Sequence, residues 1–200
     1  MIHPSTELRF VSPEIGYGVF AKEFIPKGTV VYVKDSLEIE VTPKKYLKLD
    51  DYARSVVDKY SYRDERGYRI VSWDAAKYVN HSCSRNTIST GYGFEIALRD
   101  IQVDEEITDE YAIFNLEKQF ECGCDSKNCR KYISPSDFES LFEVWDKEIK
   151  EAMTNYQNVE QVLEQYIDEK LFKKLTKYLE TGKEYKSVYS LHLKEEKVLH

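Results

Sequence analysis

Four cysteines constrain this chain more than any other feature, because one lies in "NHSCSRN" (residues 80–86) and the other three fall within "CGCDSKNC" (residues 122–129). Packing gives no reason for such clustering, and the thiols admit several readings. Cys122, Cys124 and Cys129, spaced C-x-C-x4-C, cannot close a tetrahedral metal site alone. A fourth thiolate brought from Cys83 would complete the four-cysteine shell of structural zinc. Disulfides would have three possible pairings, and the single residue between Cys122 and Cys124 disfavours a bridge there. A catalytic thiol would need a base, and His81, two positions from Cys83, gains no dyad geometry from being near in sequence. Four free, buried thiols are the remaining alternative.

Redox compartment bears on this choice. "MIHPSTELRF" has no basic stretch followed by a long apolar one, so no secretory signal is expected and the chain is read as intracellular, cytoplasmic or, in a eukaryote, nuclear. Clustered cysteines in a reducing compartment bind metal or do chemistry more often than they form disulfides. No run approaches the roughly 20 apolar residues of a membrane span. Net charge is −7, which disfavours direct binding to nucleic acid and favours basic partners.

The periodicities predict a mainly β region followed by a helical one. "LRFV", "GVFA", "TVVYV", "YRIVS", "TIST", "FEIAL" and "EEIT" alternate as short strands between turn residues. One helix is expected over about 43–60, capped by Thr42 with Pro43 at its first position and a stripe of Tyr46, Leu49, Tyr52, Ala53, Val56 and Val57. After residue 133 the composition shifts. "SPSDFESLFEVWDKEIKEAM" reads as a helix with Ser134 as N-cap, Pro135 at N1 and Asp137 closing a capping box. A further helix is expected from Asn158 to Gly182. The division is therefore 1–133, with a cysteine motif at about 118–133, and a helical extension at 134–200 whose apolar stripe should pack back on the rest of the chain.

"GYGVF" (16–20) fits the dinucleotide-binding pattern G-x-G-x-x-A, with Glu38 about 20 residues on. Only seven strand-like residues separate Gly18 from Pro26, however, so the helix N-terminus that would receive a phosphate is missing. Asn80-His81-Ser82 is formally a glycosylation sequon, which an intracellular chain would not use.

Taken together and in this order, "GYGVF", "NHSCSRN", "DEEITDEYA" (104–112) and "CGCDSKNC" resemble the SET-domain family of protein-lysine methyltransferases with its post-SET cysteine motif. The resemblance implies small curled β-sheets and a pseudoknot that sets "NHSC" against "DEEITDEYA". It implies that Gly16, Tyr17, Gly18, Asn80 and His81 bind S-adenosylmethionine, that Tyr111 is catalytic and also meets the cofactor, and that Cys83, Cys122, Cys124 and Cys129 hold structural zinc. The implied activity is methyl transfer to a lysine amine of a protein substrate, such as a basic tail. A catalytically silent, zinc-stabilised module that binds a basic peptide is the alternative, and a small-molecule methyltransferase is a third reading.

Four departures from the family pattern stand out. Arg85 replaces a usual proline, Asp104 a glycine, Glu110 an aspartate, and Asp109 an aromatic residue two before the tyrosine that limits the number of methyl groups added. The five acids of "DEEITDE" would attract a basic tail, yet negative charge near a lysine raises its pKa and opposes the deprotonation that attack requires. Most of these carboxylates are therefore expected to face solvent or pair with basic residues, leaving an apolar, aromatic channel.

Overall fold

The computed structural model describes residues 1–193. Twelve short strands lie between Thr6 and Ile133. β1 (Thr6–Ser12) and β2 (Gly16–Ala21) form a hairpin, with Arg9 opposite Gly18. β3 (Val30–Val33) is buried throughout, and β4 (Ile39–Val41), β5 (Ser61–Arg63) and β6 (Arg69–Val71) form a sheet ordered β4-β6-β5. β7 (Asn80–His81), β8 (Thr87–Ser89), β9 (Phe94–Ala97) and β10 (Glu106–Asp109) follow, and β11 (Phe120–Glu121) pairs with β12 (Tyr132–Ile133).

The sheet ordered β1-β2-β10-β7 positions the site. β10 runs antiparallel to β2 and parallel to β7, so that Thr108 faces Asn80 and Asp109 faces His81. "NHSC" and "DEEITDEYA" therefore lie side by side, the juxtaposition that the resemblance implies. A two-residue parallel ladder is weak by itself. Asn86, almost fully buried, reinforces it: its side-chain carbonyl accepts from the Thr108 N–H at 2.9 Å and its amide donates to the Glu106 carbonyl at 2.8 Å.

Two apolar clusters hold the sheets. Val19, Ala21, Ile25, Val31, Ala97, Ile101 and Ile107 fill one. The larger joins Val30, Ile88, Phe94 and Ile96 to Trp145, Ile149, Ala152, Leu163 and Leu175 of the C-terminal segment, so the helices there share a core with β3, β8 and β9. Intramolecular packing of the extension, as its stripe predicts, is what the structure shows for residues 134–193; 194–200 lie outside the described residues.

The helices break where side chains cap backbone donors. The expected 43–60 helix is two, α1 (Pro43–Tyr46), capped by Thr42, and α2 (Asp51–Tyr60), because the Asp50 carboxylate takes the Ala53 N–H at 2.7 Å and restarts the helix. None of its stripe is fully buried, and Tyr52 is 80% exposed. α3 (Asp137–Met153) begins later than expected. Asp137 accepts from the Ser134 N–H at 3.2 Å, as a capping box requires, but the Ser134 hydroxyl meets Ser136 instead of the helix. The expected 158–182 helix is reduced to α4 (Glu169–Thr181), because Asp168 caps Lys170 and Leu171 at 3.0 and 3.1 Å; two short 3-10 turns precede it. Gly182, at φ +68°, ends it as expected.

Candidate functional site

The glycine turn has two separate requirements. Gly16 adopts φ +87°, a left-handed conformation, in otherwise open space. A Cβ on Gly18 would lie 2.3 Å from Glu106 Oε1 and 3.1 Å from Asn80 Nδ2. Close approach is needed there because Asn80 Nδ2 donates both to the Tyr17 carbonyl at 3.1 Å and to Glu106 Oε1 at 2.7 Å. The structure thus brings Gly16, Tyr17, Gly18 and Asn80 together. The half-exposed Tyr17 ring meets Phe10 and Tyr78 edge-on, at 5.7 and 5.9 Å between centroids. No helix follows Gly18, so the dinucleotide pattern is not realised.

His81 joins two other groups. Its Nδ1 lies 3.2 Å from the Tyr111 N–H and 3.0 Å from the Asp109 carbonyl, and its Nε2 lies 3.5 Å from Cys83 Sγ. A neutral imidazole serves only one of the two Nδ1 contacts at a time: with its proton on Nε2 it accepts from the Tyr111 N–H, and with its proton on Nδ1 it donates to the Asp109 carbonyl. Burial lowers its pKa, with Glu110 acting in the opposite sense, which favours this neutral form.

The four thiol sulfurs all lie within 4.8 Å of one another, and Cys83 and Cys122 are 3.8 Å apart. Zinc–sulfur bonds of about 2.3 Å in a tetrahedron require sulfurs about 3.8 Å apart, so this donor set fits zinc. Backbone N–H groups point at the sulfurs, from Arg130 to Cys83 at 3.4 Å and from Lys131 to Cys129 at 3.3 Å, as they would at thiolates. Burial opposes ionisation of Cys124, but hydrogen bonds from the Ser126 hydroxyl and the Cys83 N–H outweigh it and bring that thiol down to about 6. Burial pushes Cys122 the other way.

Arg130 carries this cluster to the buried Glu110, which it grips with bonds of 2.7 and 2.8 Å while also reaching Asp137 at 3.1 Å. Arg85, at the unexpected position in "NHSCSRN", lies 3.8 Å from Glu110 and pairs with Glu148 on α3. The change from proline therefore adds a tether between the motif and the C-terminal helix.

Tyr111 is half-buried at a cleft of about 530 Å³ between α2–β5 and the segment following it. Its hydroxyl donates to the Val79 carbonyl at 2.7 Å, and its ring lies 5.4 Å from His81 and 6.3 Å from Phe120. Burial, then the charges of Asp109 and Glu95, keep the phenol protonated. Val79, Phe114 and Phe120 share the wall; Gly16, Tyr17, Gly18, Asn80 and His81 lie outside it.

The acids of "DEEITDE" divide. Asp104 is exposed and pairs with Arg9 at 2.6 Å, Glu105 pairs with Arg99 at 2.5 Å, and Glu110 is held by Arg130. Asp109 breaks the expectation. It is 1% exposed, has no basic partner among the described residues, and lines the cleft together with Glu95, which is 7% exposed. The channel is therefore not purely apolar and aromatic. Glu95 was missed in the sequence, where it is one polar residue in an alternating strand and carries no motif.

The SET domain family model matches residues 16–112, a span that begins at the glycine turn and ends just after Tyr111. Over those residues the chain resembles a SET domain. With its four-cysteine cluster, the chain has the SET and post-SET pattern that its motifs resemble. It is similar to the variant-silencing SET domain-containing protein of Plasmodium falciparum, 36% identical over 135 residues that make up 58% of this chain and 5% of that protein. It is also similar to histone-lysine N-methyltransferase 2D of Homo sapiens, 27% identical over 134 residues, 60% of this chain and 2% of that protein. Histone-lysine N-methyltransferase trithorax of Drosophila virilis is 38% identical over 68 residues, 30% of this chain and 2% of that protein. The chain thus spans only a small part of these relatives. Among the described residues no helix is long and apolar enough to cross a membrane.

Proposed function

We propose that the SET domain transfers methyl groups from S-adenosylmethionine to the side-chain amine of a lysine in a protein substrate, a basic histone tail in a nuclear setting. The observation that carries this reading is the Tyr111 hydroxyl, oriented by the Val79 carbonyl at a cleft beside the β7–β10 junction. The names of the relatives supply the histone, and the net charge of −7 suits a basic partner.

When bound, S-adenosylmethionine supplies an electrophilic methyl group on a sulfonium. The cleft has the size of small-molecule sites, its aromatic faces suit cationic ligands, and its wall carries both acidic and basic side chains. Gly16, Tyr17, Gly18, Asn80 and His81 would hold the nucleotide and amino-acid parts. Tyr111 donates its O–H in a hydrogen bond to the Val79 carbonyl, so the phenol oxygen keeps lone pairs free to face the positive charge that is redistributed as an amine attacks. The wall residues would hold that amine at near-attack distance, about 3–3.5 Å. Cys83, Cys122, Cys124 and Cys129 would hold one zinc that ties residues 122–129 to "NHSC" and takes no part in the transfer.

The test is incubation of the chain with labelled S-adenosylmethionine and a panel of histone, ribosomal and whole-cell proteins. Label on substrate lysines is the expected result. Absence of calorimetric binding of S-adenosylmethionine and of its demethylated product would overturn the reading in favour of a silent binding module.

A further inference from the structure

The segment after α4 returns to the wall of the cleft, and the fold commits several buried groups to holding it there. The Tyr185 hydroxyl and the Val188 N–H both donate to the buried Asp146 carboxylate of α3, each at 2.9 Å. The Lys186 N–H donates to the Tyr92 hydroxyl at 2.8 Å, and its ammonium to the Gly91 carbonyl at 2.5 Å. Gly91, in the turn between β8 and β9, lets the segment pass. A Cβ there would meet the carbonyl oxygens of Lys186 and Ser187, the second at 2.8 Å.

Further along, this segment meets Asn115. That residue closes the 3-10 turn Tyr111–Phe114 in a left-handed conformation, φ +51°, and is 8% exposed. Its amide donates to the Leu191 carbonyl at 2.9 Å and to the Arg63 carbonyl at 3.1 Å, while its side-chain oxygen accepts from the Leu193 N–H at 2.7 Å. Both amide protons and the oxygen are thus used. The bonds join three pieces of chain: Arg63 ends β5 on one wall of the cleft, Asn115 begins the facing wall, and Leu191 and Leu193 belong to the returning segment. Asparagine suits the position because it enters the left-handed region more readily than other side chains and, unlike glycine, carries an amide. A second link crosses the same walls, from Glu117 to Arg63 at 2.5 Å and to Arg69 at 2.6 Å, but its carboxylate is 53% exposed and such pairs hold little in water. The buried Asn115 bonds therefore set the spacing.

We infer that Asn115 is a positioning residue, a strut that sets the width of the cleft and the placement of Tyr111, and that the C-terminal segment 185–193 holds this strut in place from beyond the stretch that resembles a SET domain. The inference rests on reading the cleft as the site of methyl transfer. Asn115 acts through the backbone that carries the phenol. The turn is held at both ends, with His81 at the Tyr111 N–H and Asn115 at its close. A misplacement of about 1 Å at a reacting group costs about 100-fold in rate, so a loosened strut is read in turnover.

Two variants of the full chain test this. Asn115→Gly keeps the left-handed backbone and removes the strut, whereas Gly91→Ala displaces the returning segment at a point that does not line the cleft. Each is expected to lower kcat per folded molecule about 10- to 100-fold and to leave KM for S-adenosylmethionine within about threefold, because the residues proposed to hold that cofactor lie outside the cleft. The double variant should be within about twofold of Asn115→Gly, since the segment acts through that residue. Hydrogen exchange followed by NMR gives a readout without turnover. The Asn115 side-chain amide and the Leu193 N–H should exchange at least about tenfold faster in Gly91→Ala than in the unmodified protein. Near-normal turnover per folded molecule in Asn115→Gly overturns the inference, as do effects that multiply in full in the double variant. Should Gly91→Ala fail to fold, turnover and Leu193 exchange in Asn115→Gly decide alone. A chain that transfers no methyl group yet shows the expected exchange refutes the proposed function and leaves the strut standing. A chain that methylates lysine equally well in both variants does the reverse.

Discussion

Tyr111→Phe separates a catalytic tyrosine from a structural one, because the structure fixes what each role predicts. The ring sits among His81, Phe114 and Phe120 at centroid distances of 5.4, 6.2 and 6.3 Å, and phenylalanine keeps those contacts without opening a cavity. What is lost is one hydroxyl, 2.7 Å from the Val79 carbonyl. A single hydrogen bond of this kind contributes about 1 kcal/mol, which for a chain of this size is a fall in Tm of about 2–4 °C. If the phenol oxygen also faces the reacting centre, its removal should lower turnover about 10²- to 10³-fold, or roughly 3–4 kcal/mol of transition-state stabilisation. The two effects differ in kind, so the assay is methyl transfer per folded molecule, with folded fraction and Tm measured on the same preparation. A small Tm change with turnover reduced at least about 100-fold is the expected outcome. Near-normal turnover would show that Tyr111 only packs, and the proposed active site would then be misplaced.

Metal content gives a second check: protein purified under reducing conditions should contain one zinc per chain, and a strong chelator should release it with a marked loss of thermal stability, whereas zinc-free protein with four titratable thiols refutes the cluster. Arg130→Leu should destabilise by about 3–5 kcal/mol in denaturant titration, because it strands the buried Glu110 carboxylate. Adding Glu110→Gln should recover part of that loss, and a single variant as stable as the parent would show that Arg85 alone suffices. Stability should also fall as pH rises. Asp109 and Glu95 have folded pKa values above their unfolded ones, so the folded chain binds more protons between the ordinary carboxylate range and about 7 or higher; their contribution is fully present below that window and is lost above it. Melting curves across this range should show the decline, Asp109→Asn should flatten it, and a parent chain that stabilises as pH rises would count against the buried pair.

The parts of the site that the sequence reveals are those in which spacing itself carries the chemistry. Four cysteines with no spare thiol converge in space because a tetrahedral ion needs four soft donors and little else fits the pattern. The glycines of "GYGVF" are legible for a similar reason, since a left-handed φ and a close approach both exclude a Cβ. Helix limits were read less well. Periodicity extends across Asp50 and Asp168, and whether an aspartate continues a helix or caps the next one depends on a hydrogen bond the pattern does not encode.

Groups brought together from distant positions are least legible. Glu95 looks like an outward-facing residue of an alternating strand, and only the pairing of β9 with β8, which in turn packs against β10, sets it on the same cleft wall as Asp109. Asn86 reads as the tail of a motif, yet its side chain supplies the ladder bonds that a two-residue strand lacks. His81 is the clearest case. Its ring stands between Cys83 Sγ and the Tyr111 N–H, so one imidazole touches both the sulfur cluster and the backbone that carries the phenol. Rotation of that ring, or loss of the sulfur's fixed position, would remove the acceptor of the Tyr111 N–H and leave a buried donor unpaired. The cysteines therefore bear on the site without touching a reactant. They hold Cys83, Cys83 orients His81, and His81 fixes the backbone from which Tyr111 reaches the cleft.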